Sequence, residues 1–199
     1  MRKLINALVF TAVIFIPTSS FSYSTNPKNL ITELVEDAIN TLSDKNISIA
    51  DKNKKIETIA LENVDIEALS MYTLGPIRKT LDKPTLETYQ NLFEKYFLKS
   101  LTSRLTDYSS SKFEIVGEDK KSAKYTIISS KITPNDGGPE IKIDWRIYTK
   151  NPDRPLIRDL IVEGLSLART QKEEFASILS SNNNDIKILV SKLNEFLNN

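Results

Sequence analysis

The period of the apolar residues changes twice along this chain, at Ser109-Ser110-Ser111 and again after Ser166. Those two switches restrict the fold more than composition does. Before the first, Leu86, Tyr89, Phe93, Phe97, Leu101, Leu105 and Tyr108 advance by three or four residues. That spacing puts them on one face of a helix of about six turns, starting after Asp82-Lys83-Pro84. Between the switches the period is two. Ile141, Ile143, Trp145 and Ile147 alternate with Lys142, Asp144, Arg146 and Tyr148, so one face of a strand is apolar and needs covering. Beyond Ser166 helical spacing returns through Phe175, Ile178 and Leu179, then past Asn182-Asn183-Asn184 through Ile186, Leu189, Leu193 and Phe196.

Four strands are expected, at 113–117, 123–132, 140–149 and 156–166, separated by Glu118-Asp119-Lys120, by the turn-rich stretch from Pro134 to Pro139, and by Asn151-Pro152-Asp153. Three helices precede the long one. The first follows Asn26-Pro27 and carries Leu30, Ile31, Leu34, Ala38, Ile39 and Leu42; the second covers 49–62. The third starts at Asp65, turns Ile66, Leu69 and either Met71 or Tyr72 inward, and stops at Gly75-Pro76, where the proline forbids continuation. Helices, an antiparallel meander, then helices again define an α+β fold, in which helices from both ends of the chain are available to cover the apolar sheet face.

At the N-terminus, Met1-Arg2-Lys3 leads into an apolar run from Leu4 to Ile16 and then Pro17. This is the pattern of a secretory signal peptide over residues 1–22, too short for the roughly 20 residues that span a bilayer. Ser20-Phe21-Ser22 and Ser22-Tyr23-Ser24 both suit cleavage, and no cysteine follows to accept a lipid anchor. The remaining α+β domain, 23–199, has no cysteine for disulfides, so its stability rests on a core that can bury about 70% of the unfolded surface. The 27 basic residues are interspersed with 26 acidic ones rather than gathered into a stripe with aromatics, which argues against a nucleic-acid partner.

Catalytic patterns are sparse. Gly164-Leu165-Ser166-Leu167-Ala168 resembles a nucleophile elbow between a strand and a helix, but the chain has no histidine to act as its base. The competing reading makes Ser166 the cap of the following helix. Ser109 and Lys112 have the spacing of a Ser-Lys dyad, which keeps a serine hydrolase as an alternative, against a plain solvated loop. Asp159 and Glu163, four strand residues apart, stand about 13 Å from one another, beyond the roughly 5 to 9.5 Å of paired-carboxylate hydrolysis. Asp159 is better suited to a salt bridge or turn contact. Metal chemistry lacks imidazole and thiolate, and no cofactor is implied. Asn46-Ile47-Ser48 matches a glycosylation acceptor only at chance level.

What the chain has in excess is large apolar side chains: the stripe from Leu86 to Tyr108, the group Leu69, Met71, Leu74 and Ile77, and the face carrying Ile143, Trp145 and Ile147. Such stripes usually form core. In a chain poor in catalytic groups they can also enclose a cavity for an apolar ligand, and a periplasmic adaptor with an apolar docking face is a third reading.

Two stretches resemble the MlaC family of toluene-tolerance type periplasmic phospholipid carriers. In the first, Asp65 precedes a short helix ending in Leu74-Gly75 with Arg78 beyond, and the long helix follows with Tyr89, Phe93, Phe97 and Tyr108. In the second, Asp159, Leu160, Val162 and Glu163-Gly164-Leu165-Ser166-Leu167 run into a helix carrying Phe175. The resemblance implies a twisted sheet of about four strands packed by helices that part around a deep apolar pocket. There the acyl tails of a phospholipid lie against Leu69, Met71, Leu74, Ile77, Tyr89 and Phe93, against Phe97, Leu101 and Tyr108 further along the helix, and against Ile143, Trp145, Ile147, Leu160, Val162 and Leu167 on the sheet side. It implies a monomeric shuttle, acting in outer-membrane lipid asymmetry. Its partners would be an inner-membrane ABC transporter complex with an MCE-domain protein and an outer-membrane lipoprotein/porin complex. A hopanoid in place of the phospholipid stays open. Each buried methylene is worth roughly 0.8 kcal/mol, so a tail of about fifteen carbons resists crossing water by on the order of 10 kcal/mol. Shielding it is a sufficient function.

Overall fold

A computed structural model describes residues 23–105, 111–135 and 137–199; the expected signal peptide, Tyr108 and Ser109 lie outside them. Helix α1 (Pro27–Ser43) opens where Asn26 accepts from Asn29 N, and α2 (Ile49–Asn63) where Ser48 accepts from Asp51 N. Asp65 caps α3 (Ile66–Thr73) through Ala68 N. Helix α3 ends just before Gly75-Pro76, as expected, and a separate 3-10 turn, Gly75–Lys79, follows. Gly75 takes φ 59, and Pro76 is tolerated because the first turn of a helix needs no donor there. The inward residues of α3 are Ile66, Leu69, Ser70 and Thr73; of the two alternatives Met71 is partly buried, whereas Tyr72 is 43% exposed, with the Lys172 ammonium 4.9 Å over its ring. Helix α4 (Lys83–Leu105) follows.

The sheet is a meander ordered β1-β2-β3-β4-β5, antiparallel throughout. Strand β1 (Ser111–Ser122) is more than twice its expected length: Glu118-Asp119-Lys120, read as a turn, instead pairs with Ile128, Ile127 and Thr126 of β2 (Tyr125–Pro134). An edge strand tolerates such charges because one side faces water. β3 is Ile141–Tyr148 and β4 is Leu156–Val162. The segment expected as one strand to Ser166 breaks at Glu163 and Gly164, with φ 48 and 81, which form a tight two-residue hairpin turn. A two-residue β5, Leu165–Ser166, folds back on Val162 and Ile161. Helices α5 (Leu167–Ser180) and α6 (Ile186–Asn198) close the chain.

Of the three register shifts in the described strands, at Val116, Lys121 and Arg158, the first and last set which apolar side chains face inward. Val116 is extra between the Ile115–Ser130 and Gly117–Ser129 pairs, and Arg158 is extra between Arg146–Asp159 and Ile147–Ile157. Because the bulge at Arg158 shifts the side-chain alternation by one, Ile157, Leu160 and Val162 all face the apolar side, while Asp159 goes to the other. Two cores result. Ile128, Trp145, Ile147 and Ile157 of the sheet pack with Ile31, Leu34, Val35 and Leu42 of α1 and Ile56 and Ile59 of α2. Ile66, Leu69, Leu74, Tyr89, Phe93, Phe175, Leu179, Leu189 and Leu193 form a second core made of helices alone. Thus α5 reaches β4, but α6 rests on α4 and α5 rather than on the sheet.

Candidate functional site: an apolar sheet face covered at one end

Strand register orders the inner face in rows. At one end, Ile147 and Ile157 stand beside Thr126, and in the next row Trp145 stands between Ile128 and Leu160. Ile128, Trp145, Ile147 and Ile157 are buried under α1 and α2, and Trp145 Nε1 donates to Ser130 Oγ at 2.8 Å, which in turn donates to Ile143 O at 3.0 Å. The other end is not covered to the same degree. Phe113, Ile115, Ile132, Ile141, Ile143, Leu160 and Val162 are only partly buried, although all are large and apolar. Toward them α4 presents Leu101, which touches the sheet core, while Phe97 one turn earlier touches the helical core; α4 itself is carried mainly by α2, α3 and α6. These partly covered side chains are apolar surface that the helices leave incompletely sealed.

The residues expected around acyl tails are distributed over both cores. Leu69, Leu74, Tyr89 and Phe93 are buried in the helical core; Met71, Ile77 and Phe97 are partly buried, the last two against it. Trp145 and Ile147 lie in the sheet core, with Leu101, Ile143 and Leu160 partly buried against it. Val162 lies on the less covered inner face, and Leu167 is 43% exposed at the start of α5. Phe113, Ile115, Ile132 and Ile141 share that less covered face and are not among the residues expected around tails. For the first three, alternation in β1 and β2 was the available signal, obscured in β1 by the charged second half.

The helical core is rigidly organised. Phe175 meets the edges of Tyr89 and Phe93 at 6.5 and 6.3 Å, with rings nearly perpendicular. Thr73 Oγ1 gives its proton to Ser70 O at 2.8 Å, so the Tyr89 hydroxyl, 2.8 Å away, is the donor to Thr73. Burial pushes this phenol above its usual range and keeps it neutral.

Two adjacent residues in the middle of β4, Arg158 and Asp159, fix the frame through different partners. Asp159, 4% exposed, accepts from Ser166 Oγ at 2.7 Å and Ala168 N at 3.0 Å, with Arg146 Nη1 at 3.3 Å. Ser166 Oγ meanwhile accepts from Arg169 N at 3.0 Å. Ser166 is therefore a helix cap and Asp159 its brace. The neighbour of Asp159, Arg158, reaches Asp65 Oδ2 through Nε (2.8 Å) and Nη2 (2.7 Å), donates from Nη1 to the Tyr125 hydroxyl (3.1 Å), and stacks 3.5 Å from the Tyr148 ring. Partial burial opposes its charge, but Tyr125 and Asp65 outweigh that and hold the guanidinium pKa above its ordinary value. Lys112 is exposed on β1 opposite Thr133.

On the opposite, outer face of the sheet, two shallow hollows of about 620 and 310 Å³ adjoin at Ser129, Asp144 and Ile161. None of the residues expected to hold tails lines either. Among the described residues no group of three or more carboxylates is placed to hold a metal, and no helix is long and apolar enough to cross a membrane.

An α+β domain with a five-stranded antiparallel sheet, half of whose apolar face is left only partly covered, is the class defined by these features. The model of the MlaC protein family matches residues 32–195, and the chain belongs to that family. Its fold is similar to the solved structure of a phospholipid-binding protein from Ralstonia solanacearum in complex with a phospholipid, with a TM-score of 0.71 at 17% identity over 84% of this chain and 94% of that one. No curated protein sequence matches.

Proposed function

We propose that this protein is a periplasmic phospholipid carrier, not an enzyme, that holds acyl chains between the less covered half of the sheet and α4 while the head group stays in water. The observation that carries this is the group of partly buried Ile143, Leu160 and Val162 on the inner face of the sheet, in a fold similar to that of a phospholipid-bound protein. Membership of the MlaC family supports the wider role: a monomeric shuttle, exported by a cleaved N-terminal signal, between an outer-membrane lipoprotein/porin complex and an inner-membrane ABC transporter complex with an MCE-domain protein. The chain itself needs no cofactor for this, because direction is supplied by the energy-consuming partner.

Native mass spectrometry of the protein purified from a bacterial host tests the reading. A mass increment matching one or more phospholipids is expected. A chain that arrives bare and takes up none from vesicles overturns it.

A further inference from the structure

One row of the inner face crosses the whole sheet: Ile115, Ser130, Ile143, Val162 and Leu165 stand side by side in register on β1 to β5. Coverage falls along it, from Ser130 at 1% exposed to Leu165 at 68%, and Leu167 just beyond is 43% exposed. The apolar surface therefore does not end inside the protein but runs out to water at the β5–α5 corner. Backbone donors at that corner are engaged. The first amides of α5 that could greet an anion are already taken, Ala168 N by Asp159 and Arg169 N by Ser166. Its backbone is held by the hairpin turn at Glu163 and Gly164 and by the Asp159 brace, so the two leucines are presented on a fixed frame.

We infer that the β5–α5 corner is the port through which acyl chains enter and leave the interior, with Leu165 as its outermost apolar step. This rests on the carrier reading and deepens it. A tail methylene passing the port exchanges water for the Leu165 side chain before it reaches Val162 and Ile143, which divides one large desolvation step into smaller ones. Leu165 thus governs the rate of exchange, whereas the interior governs how much lipid is held.

Transfer of a fluorescent phospholipid between donor and acceptor vesicles tests this with Leu165→Glu and Leu165→Ser. Leu61→Glu is the control, also an exposed leucine, three residues ahead of Val64, which pairs with Ile157 at the far end of β4. Both Leu165 variants are expected to carry co-purified lipid, yet to transfer it several-fold more slowly, the glutamate more so, while the Leu61 variant keeps the parent rate. Leu165→Glu transferring at the parent rate while loaded with lipid overturns the port and leaves the carrier intact. A parent protein that carries no lipid overturns the carrier reading and the port with it.

Discussion

Asp159 is a side chain on which much local structure depends, because with Ser166 it joins β4, β5 and α5. Replacing it with alanine leaves the Ser166 hydroxyl and the Ala168 amide without their acceptor in a nearly closed environment, at about 1 to 3 kcal/mol. Removing only the cap, Ser166→Ala, costs about 1 kcal/mol. Thermal unfolding should order the two accordingly, at about 2–4 °C of Tm per kcal/mol for a chain of this size; equal shifts would mean that Asp159 braces nothing beyond the cap. The sequence led correctly from the absence of histidine to Ser166 as a cap. It gave Asp159 a structural part but not its partners, because two of them are backbone and hydroxyl groups brought near by a hairpin turn, and that turn depended on the positive φ of Glu163 as well as Gly164.

Among the elements, α4 carries the most functional weight. Its face changes allegiance along its length, with Tyr89 and Phe93 sealed in the helical core, Phe97 packed against that core and Leu101 against the sheet core. Phe97→Asp or Leu101→Asp would place an unpaired carboxylate there, and lipid occupancy by native mass spectrometry should collapse while circular dichroism keeps the parent helix and strand content. The N-terminal end of α4 predicts an acid response. Asp82 Oδ1 accepts from Thr85 N at 2.8 Å, and hydrogen bonds from the Thr85 side chain and backbone hold its carboxyl below the usual carboxylate range. A folded pKa below the unfolded one means that the stabilisation is present above the ordinary carboxylate pKa and fades as pH falls through the depressed value. Asp82→Ala should therefore flatten the acid limb of a Tm-against-pH curve. Helix periodicity made α1, α2, α4, α5 and α6 readable, as strict alternation did β3. The bulges at Val116 and Arg158 were not readable: both interrupt the period of two, and no residue type demands a bulge at either place.

For the molecule as a whole, the apolar interior divides into a sheet core and a helical core, and acyl chains are proposed to lie along part of their boundary. The single tryptophan stands beside that boundary, since Trp145 neighbours Leu160 and its indole is tied through Ser130 to Ile143. Loading a delipidated sample with phospholipid should therefore shift Trp145 emission, with the Trp145→Phe protein as the blank; a spectrum indifferent to lipid would place the tails elsewhere. The borders of the sheet carry one more consequence. The flank of β4 away from β3 is occupied at Ile157 by the Val64 bridge and at Ile161 and Val162 by β5, while β1 at the opposite margin is studded with Lys112, Glu114, Glu118, Asp119, Lys120 and Lys121. Neither margin offers another polypeptide a clean ladder to extend, so a molecule that leaves greasy surface open can still remain dispersed at high concentration instead of seeding fibrils.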